Sequence, residues 1–204
     1  MATVLYEEFL PYVQPYVPEC PIVTIETYLA EAAARFCEKS YIWRVDIEED
    51  STISGEALYD IDVPTGTILV DIPVLEVDGY AVNRVSDRYM APSVNEATGV
   101  PTYFDIYLDK QIKFYPMPDG AYTFRGTAVV KPSLLSSGVE DFIYETFGRE
   151  IACGAIAELA AIPGKAWTSL DIAMMHKQKF YKGVNDARVR DLRSVPMRVR
   201  AQNF

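Results

Sequence analysis

The sequence predicts an α+β protein. A helical bundle is built from the N- and C-terminal parts of the chain. A large antiparallel β insertion, sandwich-like, interrupts it, and an extended C-terminal tail follows. Three observations carry this. Apolar residues recur at three- and four-residue steps over 22–39 and again after Pro132. Between about 50 and 132, short alternating runs are separated by turn residues. Beyond Asp191 no periodicity remains. The corresponding domains are 1–49 with 133–191 for the bundle, 50–132 for the insertion and 192–204 for the tail.

Taken in order, Pro11, Pro15, Pro18 and Pro21 allow only short helical pieces, such as Thr3 to Leu10. Ile25, Leu29, Ala32, Ala33 and Phe36 then form one apolar helical face, with Thr24 as the N-cap candidate. Asp46, Glu48, Glu49 and Asp50 form a charged stretch before a turn at Ser51 to Gly55. In the next run Ala57, Tyr59, Ile61 and Val63 alternate onto one strand face. Thr67 to Val77 is β-rich, and Pro73 places it at an edge or a bulge. Asp78-Gly79 is a tight turn whose hairpin partner is Tyr80 to Val85. Residues 86–101 read as a loop, and Thr102 to Leu108, Gln111 to Tyr115 and Tyr122 to Lys131 as strands.

After Pro132, Ser137 and Glu140 match a capping box that opens a helix ending at Pro163-Gly164. Ile143, Phe147, Ile151, Ile156 and Leu159 trace its apolar side, while Gly148, Ala152, Gly154 and Ala155 make it small-faced. Thr168 caps a last helix with the stripe Leu170, Ala173, Met174, Phe180, Tyr181, Val184 and Ala187.

The composition bounds function. The 204 residues carry 19 Lys+Arg against 29 Asp+Glu, a net charge of −10. Residues 165–204 hold nine basic and three acidic side chains, so the acidic excess lies in the rest of the chain. An acidic body repels nucleic acid, whereas a basic tail seeks an acidic partner or phosphate. Cys20, Cys37 and Cys153 are an odd count without CxxC spacing, which indicates buried thiols in a reducing compartment. With no signal-peptide pattern and no long apolar run, the chain is expected to be soluble and cytoplasmic when made.

Little points to catalysis. His176 is the single histidine, and no HExxH, GxSxG, GxGxxG or Walker loop occurs. Gly164-Lys165 resembles the end of a phosphate loop but is followed by Ala166. The acidic stretch Asp46, Glu48, Glu49 and Asp50 is the one candidate for holding Mg²⁺, as in a Mg²⁺-dependent nuclease. A consecutive run is more often a solvated turn. The 14 tyrosines fit strand cores, interfaces or the platforms of a carbohydrate-binding β module.

Several strings, in order, carry a resemblance. These are Ala32-Ala33-Ala34-Arg35-Phe36-Cys37-Glu38-Lys39-Ser40-Tyr41-Ile42-Trp43, then Thr98-Gly99-Val100-Pro101-Thr102-Tyr103-Phe104, then Phe114-Tyr115-Pro116-Met117-Pro118-Asp119. Cys153-Gly154-Ala155-Ile156-Ala157, Pro163-Gly164-Lys165-Ala166-Trp167-Thr168 and Phe180-Tyr181-Lys182-Gly183-Val184-Asn185-Asp186-Ala187-Arg188 follow. Together they resemble the head-to-tail adaptor (connector) proteins of tailed bacteriophages, including the tail tubular adaptor of short-tailed phages. The resemblance implies a structural virion protein without catalytic residues, metal or cofactor. It implies a dodecameric ring under the portal protein that extends the DNA channel and carries the downstream tail, as nozzle or tail-tube/stopper protein. Viral DNA would only pass through, and no membrane is involved. The protein would be assembled in the host bacterial cytoplasm and reside at the head-tail junction. Another tail-junction ring, a stopper or tail terminator, is the alternative within the structural class.

On this reading the small-faced helix and the Tyr-rich sheet supply the ring's side surfaces. The acidic body lines the lumen. The basic stretch Arg188, Arg190, Arg193, Arg198, Arg200 and Phe204 docks on the portal.

Overall fold

The computed structural model describes residues 3–86, 97–107 and 110–194, with side chains through Arg190. In chain order its elements are β1 (Thr3–Leu5), α1 (Leu10–Val13), α2 (Ile22–Ser40), β2 (Arg44–Ser51), β3 (Leu58–Asp60) and β4 (Thr67–Val77). Then come β5 (Tyr80–Ala81), β6 (Asn83–Arg84), β7 (Tyr103–Tyr107), β8 (Gln111–Tyr115), β9 (Thr123–Pro132), β10 (Gly138–Glu140), α3 (Asp141–Ala161) and α4 (Leu170–Ser194). The architecture is α+β, as the periodicity predicts. It divides into two compact units, Met1–Ile42 with Leu134–Phe204, and Trp43–Ser133.

The first unit is helical. After β1, 3₁₀ turns at Tyr6–Phe9 and Gln14–Tyr16 flank α1. Pro11 and Pro15 sit in the first turns of their helical pieces, where a missing N–H costs nothing. The helical pieces therefore run past Leu10 to Tyr16, and Thr3–Leu5 is a strand instead. α2 begins directly after Pro21, whose carbonyl accepts from Thr24 and Ile25 N–H, so Thr24 lies inside the first turn and is no cap. All five predicted apolar-face residues of α2 are buried. The helix closes at Tyr41, in the left-handed region at φ 61°.

The expected capping box does not form. Gly138 to Glu140 pair with Leu5 to Thr3, so their backbone groups are used by a two-stranded ladder and α3 starts at Asp141. Gly138 lies so close to the Val4 carbonyl that a Cβ would not fit. α3 then packs on both α2 and α4. Its Gly154 is a point of close approach: a Cβ there would stand 2.6 Å from the Phe180 ring and 3.0 Å from Ala32 Cβ. The small face predicted for this helix is thus buried inside the unit. Phe36 packs on Phe147 and Phe180, with ring centroids at 5.2 and 5.9 Å. Phe9 meets Tyr144 edge-to-face at 4.8 Å. Each such ring or aliphatic side chain contributes about 1.5–3 kcal/mol by burial.

Between α3 and α4 the chain turns at Gly164, φ 72°. Thr168 Oγ1 accepts from Lys165 N–H and donates to the Ile162 carbonyl, so it braces this turn. Ser169, which precedes α4, accepts from Ile172 N–H at 3.5 Å and takes the place expected of Thr168. α4 extends to Ser194, three residues past the predicted end, so 192–194 is helical rather than extended. Residues 195–204 of the expected tail lie outside the described residues.

The second unit is a pair of four-stranded sheets, ordered β2-β9-β4-β5 and β3-β8-β7-β6. Tyr59 and Phe114 of one sheet and Phe124 of the other form a triad with centroids 5.4–5.5 Å apart. This places the sandwich core between the inner faces. The charged stretch Asp46 to Asp50, with Ser51 from the expected turn, lies in the edge strand β2. Its partner β9 supplies the hydrogen bonds, so pairing overrides a pattern with one buried residue, Ile47. Pro73 falls between the register breaks at Asp71 and Val74, the bulge its presence predicts. Asp78 and Gly79 turn with φ 49° and 79°. The hairpin after them lasts two residues before β6 joins the other sheet, parallel to β7. That parallel pair departs from the all-antiparallel expectation. The predicted loop 86–101 lies mostly outside the described residues.

Candidate functional site

Arg188 and Arg190 project from exposed positions on the last turns of α4. Arg193 continues that helix, its side chain outside the described residues, as are Arg198, Arg200 and Phe204 altogether. Upstream on the same helix, Lys177, Lys179 and Lys182 are exposed. None of these five described cations makes an ion pair with a described residue. The helix therefore presents a net positive charge, carried by cations that form no ion pair with a described residue.

The outer face of α4 is also apolar. Leu170, Met174 and Tyr181, expected in the packed stripe, are exposed, whereas Ala173, His176, Phe180, Val184 and Ala187 are buried. At about 100° per residue, Leu170, Met174 and Tyr181 lie roughly 80–120° around the helix from the centre of the buried line. Helical phase separates the two rows, so the width of the apolar arc was the available signal for a second contact surface. Val23 and Leu134, exposed on the other side of the sequence, carry no such signal.

His176 is buried, and its ring stacks edge-to-face on Tyr16 at 4.5 Å. Its Nδ1 lies 3.2 Å from Cys153 Sγ, while Nε2 has no partner among the described residues. Burial and the nearby Lys179 ammonium push the imidazole pKa down, and burial pushes the Cys153 thiol up. Both shifts favour the neutral pair. That is the opposite of the thiolate–imidazolium pair a nucleophilic cysteine needs. His176 and Cys153 wall a groove of about 590 Å³ with Tyr12, Tyr16, Arg149 and Lys179.

Because the folded imidazole pKa lies below its unfolded value near 6.5, the unfolded chain binds the extra proton. Stability is full above that value and falls as pH drops through it. The urea midpoint should therefore fall between pH 7.5 and 5.5. The His176→Phe variant should lose part of that pH dependence, read from paired urea melts at the two pH values.

The acidic stretch does not converge. Asp46, Glu48, Glu49 and Asp50 run along β2 at the rim of its sheet, where charge discourages edge-to-edge pairing. Among the described residues no cluster of His, Cys, Asp or Glu could hold a metal ion. Gly164-Lys165 belongs to the braced turn between α3 and α4 rather than to a phosphate loop. Tyr80, Tyr103 and Tyr107 are the exposed tyrosines of the sheets, while Tyr59 and Tyr115 are core. The small face of α3 is buried within the unit, so that face is not open to a neighbouring subunit. All three cysteines are free, and no described helix is long and apolar enough to cross a membrane.

No curated protein matches the chain. The SU10 adaptor protein family matches residues 6–200, nearly the whole sequence and both structural units. The chain belongs to the SU10 adaptor protein family of bacteriophage head-to-tail adaptors, structural virion proteins that work among portal and tail proteins.

Proposed function

We propose that the protein forms a dodecameric ring that docks under the portal, extends the DNA channel and presents the attachment site for the downstream tail protein. Assembly takes place in the host bacterial cytoplasm. The observation that carries this reading is the run of unpaired cations along α4, in a chain whose remaining residues are strongly acidic. A basic helix leading into a basic C-terminal stretch suits an acidic protein surface, steering docking and fixing its register. The acidic remainder keeps affinity for the passing DNA low, because phosphate contacts dominate that affinity. The portal contact uses Arg188, Arg190, Arg193, Arg198, Arg200 and Phe204.

The test is binding to the portal protein of the same genome, with complexes imaged by negative stain. Ala187 is buried, so a truncation after Asp186 would cut into a packed helix. The truncation is better placed after Ser194, and combined separately with Arg188→Glu plus Arg190→Glu. Each change should weaken docking about tenfold or more, and the wild-type complex should weaken with added salt. Unchanged docking by both variants overturns the assignment of the basic stretch. No wild-type ring on the portal at any salt concentration overturns the portal reading itself.

A further inference from the structure

Two exposed apolar patches on the helical unit differ in the sign of their rims. The first is a groove where β1, the first turns of α2 and the segment before β10 meet. Leu5, Val23 and Leu134 are 42%, 74% and 60% exposed there, and Glu7 and Glu26 edge it. The second lies on the outer face of α4. Met174 and Tyr181 are 63% and 40% exposed, edged by Lys177 and Lys182 with Asp186 as the one acidic member. None of Glu7, Glu26, Lys177 and Lys182 makes an ion pair with a described residue.

From this complementarity we infer that the α4 patch of one copy packs on the β1–α2 groove of the next, with Lys177 facing Glu26 and Lys182 facing Glu7. The inference rests on the ring reading and names the surfaces that make the ring. A two-fold pairing of either patch with itself would set like charges against each other. Pairing unlike patches joins opposite charges while Val23, Leu134, Met174 and Tyr181 leave water together. Contacts between unlike patches are heterologous, and such contacts generate rings when the rotation closes.

The experiment compares the full-length wild type, Glu26→Lys, Lys177→Glu and the Glu26→Lys/Lys177→Glu double variant by sedimentation velocity, alone and with portal protein. Circular dichroism melts check that each folds. Each single reversal should weaken self-association about tenfold, and the double variant should recover it, because the pair is restored with its signs exchanged. An equimolar mixture of Val23→Lys/Glu26→Lys with Met174→Glu/Lys177→Glu leaves one intact groove and one intact α4 patch. With the exchanged patches also complementary in charge, the mixture should assemble while neither variant does so alone. Folded single variants that associate like wild type, or a double variant no better than the singles, overturn the inference. Portal docking is read in the same runs. Wild-type docking without the charge-reversal pattern sinks the interface and leaves the adaptor reading standing. The charge-reversal pattern without docking does the reverse.

Discussion

Gly154→Val should destabilise the helical unit by about 3 kcal/mol or more, enough to abolish cooperative folding in a marginal background. At Gly154 a Cβ alone would stand 2.6 and 2.7 Å from two carbons of the Phe180 ring and 3.0 Å from Ala32 Cβ. Phe180 is buried and itself packs on Phe36, so the ring cannot swing aside without disturbing a second contact. Alanine gains about 1 kcal/mol of helix propensity over glycine, which offsets part of the clash. Gly154→Ala should therefore cost less than valine, about 1–2 kcal/mol. Gly183→Ala is the internal comparison. Its Cβ would press on Glu150, at 2.7 Å from Glu150 Cβ, an atom that side-chain rotation cannot move, so α3 and α4 must part slightly there as well. The expected order of urea midpoints is wild type, then the two alanine variants, then Gly154→Val. A valine variant that melts like wild type would mean that α3 is not pressed against α2 and α4.

The small face of α3 was legible in the sequence, and so was the apolar face of α2, because both follow from a 3.6-residue period. What that period cannot give is the partner. The small face suggested a surface for neighbouring subunits, yet it is consumed within the chain by Ala32 and Phe180. Two of the other misses share one cause, which is long-range pairing overriding local pattern. Asp46 to Asp50 look like a turn because only Ile47 is apolar enough to bury, and β9 makes them a strand. Ser137 to Glu140 look like a helix start, and β1, more than 130 residues earlier, makes them a strand too. Of the candidate site, Arg188 and Arg190 lie exposed on α4, while Arg198, Arg200 and Phe204 lie outside the described residues. The apolar rows that complete the candidate surface were hidden differently. A sum of apolar residues places Met174 and Tyr181 in the core, because it ignores helical phase.

In the β unit the heaviest single loss should come from Phe114→Ala, at about 3–5 kcal/mol. Phe114 is fully buried on β8, and its ring is shared between Tyr59 on its own sheet and Phe124 on the facing one. Removing it deletes two aromatic contacts together with the burial of the ring. A void is then left between sheets whose strands are too well paired to collapse into it. Tyr59 cannot move in, because its hydroxyl bridges the Ile53 and Glu56 carbonyls and accepts from Ile53 N–H at 2.9 Å. Phe124→Leu alone should cost less, since a branched aliphatic keeps much of the volume. Combined with Phe114→Ala, the two should total less than the sum of the singles, because the first change has already removed the contact that the second weakens. Urea melts followed by tyrosine fluorescence read all three variants. Strict additivity would mean that the two sheets do not share this triad as one packed unit, and the sandwich would need another centre.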